Sequence, residues 1–424
     1  MRKTTYGLLL LALTLNIAAA RPQGAAPAPA ASSWDLLRKI VLVPGMSGQE
    51  GKAADFLQAA LPASLKVQRD ARNNVWFTAG EGKPHILFVA HMDELGYTVD
   101  KIMPQGTVLL KPYSSFLPQV SEGRAFVIHT AKGPVEGIIQ PAADYYVSQT
   151  ATTAGARGAQ PAAGANRGAV PTQAANPPQG GQAASPAQAK AAPVAAGQNP
   201  PAAKPGAAGA TPGFEVYLGV STEQEARALG VAEGNPVLVK KKLVDLSPDI
   251  MATRAVDDRA GCAALLAAAL QTDWSKVHGK TVTIAWDVEE ETGLNGAQVL
   301  AKTLKPDYVF AVDTFVSSDT PLENKRFGDA VLGKGAVLRS IDTSNVTPKT
   351  EIRKVAKLAA ARGIPVQICS SRGGNDGSVF VADGAVDIPL SWPGVHAHSF
   401  IEKIVKSDLD ALTRLVMAII EEWK

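Results

Sequence analysis

The chain has 424 residues, a formal net charge of +3 at pH 7 and 19% charged residues. A charge so close to neutral does not suggest a surface for nucleic acid or for an anionic membrane, and we therefore expect neither as a partner. The chain contains two cysteines, Cys262 and Cys369, which are too few for a disulfide framework.

The N-terminus has the pattern of a secretory signal peptide. Two basic residues lie near the start, residues 8–15 are a short apolar run, and three alanines end at residue 20. The apolar run is too short for a comfortable membrane span. We therefore expect a signal peptide over residues 1–20, a linker over 21–32, export to the periplasm or beyond, and no stable membrane insertion after cleavage.

Apolar strands alternate with amphipathic helices in two separate parts of the chain. Residues 33–100 contain two predicted helices followed by the strands VWFTA and HILFVA, and from residue 250 onward helices and apolar strands alternate again. This pattern is typical of an α/β fold with a mixed, mostly parallel sheet sandwiched by helices. Residues 33–100 and 250–424 are thus predicted to form one catalytic domain.

Residues 101–249 have a different pattern, with short strands and turns that predict a small β-rich inserted domain. Within it, residues 148–213 contain no aromatic residue, Leu, Ile or Met and are mostly Ala, Pro, Gly and Gln. Such a segment buries too little apolar surface to offset its ordering entropy. We predict a disordered loop over these residues.

Five possible metal ligands lie at or near the ends of apolar runs. In open α/β sheets, ligands bind beyond the carboxyl ends of the strands, so these side chains are expected to meet. Two imidazoles and three carboxylates suit two zinc-like ions that drive hydrolysis by water. The five residues, four after predicted strands and one at a helix start, are His91, Glu291, Asp313, His398 and Asp257.

Two further carboxylates have predicted supporting roles. Glu290, next to Glu291, could take a proton from water while its neighbour holds a metal ion. Asp93 lies two residues after His91 and can orient the imidazole by a hydrogen bond. His396 lies two residues before His398, and the residues alone leave open which of the two is a ligand.

Several motifs together resemble a known family. They are AHMDELGYTV, GPVEGIIQ, AVDDRAGC, DVEEETGLNGA, GGNDGS and HAHSF. The chain is similar to the dinuclear metallo-aminopeptidases that include bacterial glutamyl aminopeptidases, archaeal TET and deblocking aminopeptidases, and the so-called endoglucanase M. Each motif is weak alone, but jointly they are specific, and the resemblance covers nearly all of the chain outside residues 1–34 and 148–213.

The resemblance implies a ligand set for two divalent ions, zinc or cobalt. Asp257 would bridge the two ions, His91 and Asp313 would complete one site, and Glu291 and His398 would complete the other. The pair His-Ser at residues 398 and 399 matches the family's motif, which favours His398 over His396.

The resemblance also implies the catalytic residues. Glu290 would be the general base and later the proton donor, and Asp93 would support His91. The peptide bond between Asp257 and Asp258 is cis in similar enzymes. Peptides are the implied substrates, and a homo-oligomer, a dimer or larger, is the implied assembly.

The sequence thus predicts an exported, dinuclear metal-dependent aminopeptidase acting on short peptides. A related dinuclear amidohydrolase, such as a carboxypeptidase or a deacylase, is the first alternative. A non-catalytic peptide-binding protein is the second, but binding alone would not need Glu290.

Overall fold

The computed structural model describes residues 32–113, 123–139, 214–316 and 330–424. The predicted signal peptide 1–20, the predicted linker except for Ser32, and the predicted disordered loop 148–213 lie outside the described residues. No helix within the described ranges is both long enough and apolar enough to cross a membrane.

Helices and strands are numbered here in chain order. The helices are α1 (Ser33–Ile40), α2 (Gly51–Ala60), α3 (Glu223–Ala228), α4 (Val256–Gln271), α5 (Asn295–Thr303), α6 (Lys349–Ala361), α7 (Ser378–Val381) and α8 (Lys406–Glu422). The first nine strands are β1 (Gln68–Arg69), β2 (Val75–Glu81), β3 (His85–His91), β4 (Gly96–Ile102), β5 (Val108–Tyr113), β6 (Ala125–Thr130), β7 (Gly133–Ile139), β8 (Phe214–Tyr217) and β9 (Pro236–Val239). The other strands are β10 (Val244–Ser247), β11 (Ile250–Thr253), β12 (Lys280–Asp287), β13 (Tyr308–Val316), β14 (Ala336–Ile341), β15 (Val366–Ser370), β16 (Val386–Asp387), β17 (Leu390–Gly394) and β18 (Glu402–Val405).

The chain divides into two compact units, which are Met1–Leu95 with Lys241–Lys424, and Gly96–Lys240. These boundaries differ from the predicted insertion at 101–249. Strand β4 is hydrogen-bonded to strands of the inserted unit, so that unit begins earlier than predicted. Strand β10 pairs with β11 in the larger unit, so the inserted unit also ends earlier.

The larger unit contains a nine-stranded sheet with the order β1-β2-β12-β3-β13-β17-β14-β15, and β16 pairs with β13. The pairs β12–β3, β3–β13 and β13–β17 are parallel, so these four strands end at the same edge. The sheet is antiparallel where β2 meets β12 and where β17 meets β14. This mixed, mostly parallel sheet confirms the predicted fold class.

Both faces of the sheet are covered, which explains the continuous apolar run in β3. Ile86, Phe88 and Ala90 pack into the large core with α1, α4 and α8, whereas Leu87 and Val89 pack into a second core with α5 and α7. Helix α4 is buried from Val256 to Ala269, because its alanine-rich sequence presents small apolar side chains on every side. It contacts α1, α8, β3 and β13, and it therefore places its own N-terminus near the ends of the parallel strands.

The smaller unit is a closed barrel with the strand order β4-β5-β8-β7-β6-β9. Its interior contains apolar side chains such as Tyr97 and Phe126, whose rings meet edge to face with centroids 5.5 Å apart. Helix α3 begins with a capping box, in which Thr222 accepts from the backbone N–H of Glu225 and the Glu225 side chain accepts from the backbone N–H of Thr222. The predicted β-rich character of this segment agrees with the barrel.

Candidate metal centre

Three of the predicted ligands come from neighbouring strands of the large sheet. His91 is the last residue of β3, and Glu291 follows the end of β12 by one short turn. Asp313 lies within β13, beyond Ala311, the last residue of β13 that pairs with β3. Strand β13 continues past the end of β3 because its pairing passes to β17 from Val312 onward.

The fourth predicted ligand, His398, lies in the turn after β17, two residues after His396. His396 and His398 both have left-handed backbone angles, with φ of 64° and 61°. The His396 side chain is exposed, whereas His398 is partly buried and faces Asp257 and Glu291. The structure therefore brings His398 to the cluster and turns His396 to solvent.

The fifth predicted ligand, Asp257, lies in the first turn of α4. The peptide bond between Asp257 and Asp258 is cis, as the resemblance implied. The Glu402 carboxylate holds this turn from β18, because it accepts hydrogen bonds from the backbone N–H groups of Ala255 (3.2 Å) and Asp257 (2.9 Å).

Ligand atoms of the five residues form two overlapping groups. His91, Asp257 and Asp313 form one group and Asp257, Glu291 and His398 form another, each with its ligand atoms within 4.8 Å of one another. Asp257 belongs to both through different atoms, since its Oδ1 lies 3.4 Å from His91 Nε2 and its Oδ2 lies 3.5 Å from His398 Nε2. The geometry thus offers two adjacent three-ligand sets that share one carboxylate.

Glu290 enters a third group, together with His91 and Glu291. Its side chain therefore lies beside both ligand sets without belonging to either of them. Burial, and then the nearby carboxylates of Asp376, Glu291 and Asp313, hold its pKa well above the usual range, although His91 acts in the opposite direction.

The electrostatics of the cluster fit divalent cations. Burial and neighbouring carboxylates raise the pKa of Glu291 to about 7 and that of Asp313 to about 6. Asp257 Oδ1 is buried and accepts no hydrogen bond, which is costly for a carboxylate oxygen. Oxygen and imidazole nitrogen atoms at these spacings are ligands that zinc-like ions accept, and two such ions would satisfy the buried oxygens.

Asp93 is the centre of the support around the cluster. Its Oδ1 accepts from His91 Nδ1 (3.2 Å) and from the backbone N–H of Glu290 (3.0 Å). Its Oδ2 accepts from Ser47 Oγ (2.6 Å) and from the backbone N–H of Glu291 (3.2 Å). If Nδ1 donates to Asp93, the Nε2 atom of a neutral His91 would be available to bind a metal ion.

Other supporting residues were not foreseen from the sequence. The buried carboxylate of Asp258 accepts from the backbone N–H of His91 at 3.1 Å. The buried guanidinium of Arg339 lies 3.3 Å from Asp313 Oδ2 and donates to the carbonyl oxygen of Gly374. The sequence signals were slight: Ser47 lies in a Gly-rich turn, Glu402 lies four residues after His398, and Arg339 interrupts an apolar strand.

The comparison with protein families identifies the chain. A model described as M42 glutamyl aminopeptidase matches residues 73–158 and 213–415. The chain belongs to the M42 glutamyl aminopeptidase family. M42 proteins are metallopeptidases, so the chain is a peptide hydrolase, and the predicted family and enzyme class are confirmed.

Individual M42 relatives support the same conclusion. The glutamyl aminopeptidase of Lactococcus lactis subsp. cremoris is 25% identical over 390 residues, which are 88% of this chain and 91% of the relative. The lysyl aminopeptidase of Pyrococcus furiosus is 25% identical over 402 residues, which are 92% of this chain and 97% of the relative. The TET1 peptidase of Pyrococcus horikoshii, described as assembling into a tetrahedron or a large octahedral shell, has a TM-score of 0.70 and 28% identity, covering 92% of this chain and 100% of that chain.

Proposed function

We propose that this M42 peptidase is a dinuclear metal-dependent aminopeptidase that removes N-terminal residues from short peptides. The observation that carries the proposal is the pair of three-ligand sets that share Asp257, with Glu290 beside both. The names of the two aminopeptidase relatives support the direction of cleavage from the N-terminus. We propose zinc or cobalt as the bound ions.

Two ions held by the five ligands would lower the pKa of a water molecule and polarise the scissile carbonyl. Glu290 would accept the proton of that water on a carboxylate oxygen and later return it to the nitrogen of the leaving amine. Asp93 would hold the imidazole of His91 in the tautomer that presents Nε2.

The first experiment joins metal analysis to a substrate screen. The purified protein, loaded with zinc or cobalt, should bind two ions per chain and cleave aminoacyl amides and short peptides with free N-termini. N-acylated substrates and C-terminal cleavage test the related deacylase and carboxypeptidase activities. Cleavage of blocked substrates alone, or no cleavage by protein that carries two ions, would contradict the proposal.

The second experiment tests Glu290 against its neighbour Glu289. Glu290→Gln should lower kcat by about 10²–10⁴-fold, because the general base is lost while an isosteric group remains. Glu289→Gln is the matched control, because the Glu289 side chain contacts Arg72 (2.9 Å) and Asn295 (3.1 Å) rather than the ligand groups. Equal activity of the two variants would remove Glu290 from the mechanism.

We also propose that the chain is exported and that it forms a homo-oligomer. The N-terminal pattern of residues 1–20 supports export, and the assembly of the TET1 relative supports oligomers of a dimer or larger. N-terminal sequencing of the protein from a periplasmic fraction tests cleavage near residue 20. Light scattering of the purified protein tests the assembly, and a monomer at micromolar concentration would contradict it.

A further inference from the structure

The Asp93 carboxylate accepts as many hydrogen bonds as its two oxygens can. A carboxylate oxygen accepts about two hydrogen bonds, and each oxygen of Asp93 has two donors. The side chain is fully buried, so no solvent water can replace a donor that is lost.

Two of the four donors are the backbone N–H groups of Glu290 and Glu291. Asp93 thus does more than orient His91, because it also fixes the turn that carries the proposed base and a proposed ligand. The position of this turn determines which way the two glutamate side chains point. Any movement of the Asp93 carboxylate would shift His91, Glu290 and Glu291 together.

The fourth donor, Ser47, comes from a distant part of the chain. It is 1% exposed, and its hydroxyl makes the shortest of the four bonds to Asp93. Its backbone is fixed in turn, because its N–H donates to the carbonyl oxygen of Glu94 (3.3 Å) and the N–H of Glu94 donates to the carbonyl oxygen of Gly45 (2.9 Å). The Ser47 hydroxyl therefore reaches Asp93 from a segment that is paired with the Asp93–Glu94 backbone.

We propose that Ser47 is a positioning residue of the active site, which acts through Asp93 to hold the Glu290–Glu291 turn. The inference rests on the proposed roles of Glu290 and Asp93. Without the hydroxyl, Asp93 Oδ2 would keep only the Glu291 N–H, and the buried carboxylate would relax to recover the lost bond. The base and the metal ligands would then be misplaced even though no ligand is removed.

The main test is Ser47→Ala, with Ser33→Ala as the matched control. Ser33 is 2% exposed and its hydroxyl also donates to an aspartate, Asp410 (3.3 Å), but it lies in α1 away from the ligands. We expect Ser47→Ala to lower kcat and the affinity for the weaker-bound zinc ion by on the order of tenfold each, with KM changed less than about twofold. Ser33→Ala should change neither. An unchanged kcat and zinc affinity in Ser47→Ala would overturn the proposal.

A double-mutant cycle shows whether Ser47 acts through Asp93. In an Asp93→Asn background, Ser47→Ala should lower kcat and the zinc affinity by less than about twofold each, because the acceptor that Ser47 orders is already altered. A tenfold loss of kcat and of zinc affinity in that background would overturn the proposal. If Ser47→Ala or Asp93→Asn does not fold, the isosteric pair Ser47→Thr and Ser47→Val isolates the hydroxyl, and equal zinc affinities of that pair would also overturn it.

The zinc affinity keeps this inference separate from the proposed function. Protein that binds zinc without cleaving any peptide would contradict the proposed function, while the zinc affinity of Ser47→Ala would still test Ser47. Active protein with an unaffected Ser47→Ala would overturn the role of Ser47 alone.

Discussion

Two adjacent residues, Asp93 and Glu94, point into two buried ionic clusters of opposite character. We use the term acidic cluster for His91, Asp257, Glu290, Glu291, Asp313 and His398. We use the term Glu94 cluster for Glu94, Lys241, Arg254 and Arg259. Carboxylates predominate in the first and cations in the second, and both belong to the larger unit.

In the Glu94 cluster, the buried charges are paired with groups of the chain itself. Glu94 accepts from Lys241 Nζ (2.6 Å) and from Arg254, and it lies 3.8 Å from Arg259. Backbone carbonyl oxygens near the end of α1 and after Glu94 accept further bonds from all three cations. Burial alone would raise the pKa of Glu94, but the three cations lower it to about 2.

In the acidic cluster, within the described residues, four carboxylates face two histidines, so carboxylates are in excess. Burial and neighbouring carboxylates raise the pKa of Glu291 and Asp313, whereas His398 and His91 lower the pKa of Asp257. Asp257 Oδ1 is buried and accepts no hydrogen bond. Arg339 contacts Asp313 but not the rest of the cluster. The comparison indicates that a buried cluster with enough counter-charges of its own can stabilise the fold, whereas a cluster with an excess of carboxylates fits the binding of cations.

The strongest test of this comparison is Glu94→Gln. Lys241, Arg254 and Arg259 would lose the carboxylate that they share, so the free energy of unfolding should fall by about 3–5 kcal/mol. Denaturant unfolding of the zinc-loaded protein measures the change. The control is Glu136→Gln, which removes an exposed pair with Lys240 and should cost at most about 1 kcal/mol. A loss of similar size in both variants would mean that the Glu94 cluster does not stabilise the fold.

The second test separates the two histidines of the acidic cluster. His398→Ala should lower kcat/KM by at least about a hundredfold, above the usual cost of losing a supporting residue, and should reduce the zinc content. His396→Ala is the control, because that side chain is exposed. Its kcat/KM should stay within about twofold of the value for the unmodified protein. The zinc content of both variants is measured together with the kinetics. A larger loss in His396→Ala would assign the ligand to the other histidine.

The third test uses the opposite pH dependence of the two clusters in metal-free protein. The pKa of Glu291 is about 7 in the folded chain and 4.5 ordinarily, so the folded state binds the extra proton and stability should fall as the pH rises from 4.5 to 7. The pKa of Glu94 is lowered to about 2, so its contribution is present above pH 4.5 and is lost as the pH falls towards 2.

Glu291→Gln should therefore raise the free energy of unfolding of metal-free protein at pH 8 by roughly 1–3 kcal/mol. It should also reduce the decrease in stability between pH 4.5 and 7. Zinc should abolish this decrease in stability, because the ligands bind the metal in their deprotonated form. Unfolding curves at several pH values, with and without a chelator, measure both effects. Stability that rises from pH 4.5 to 7 without metal would contradict the account of the acidic cluster.

Much of the site was predictable because its residues follow regular elements. The run ILFVA before His91 predicts a doubly covered strand, and the alanine-rich run after Asp257 predicts a buried helix. Parallel strands end at one edge, so residue types at those ends indicated a shared site before any contact was known. The family motifs then identified the M42 fold, which the comparisons confirm.

Other features depended on contacts that local sequence does not encode. The limits of the barrel depended on the strands with which β4 and β10 pair. The family motif favoured His398 over His396, but only the structure shows that the His398 side chain faces Asp257 and Glu291. The proposed role of Ser47 depends on a segment that pairs with the backbone of Glu94.

The sequence by itself determined most of the elements, the family and the chemical types of the proposed ligands, because periodicity and motif spacing are local properties of the chain. Only the tertiary structure decided which atoms meet. Asp257 faces two histidines from distant parts of the chain through different oxygens, and Asp93 gathers four donors from three segments. Such contacts are fixed by the packing of α4 and the sheet, since no local rule sets distances between side chains that are remote in sequence.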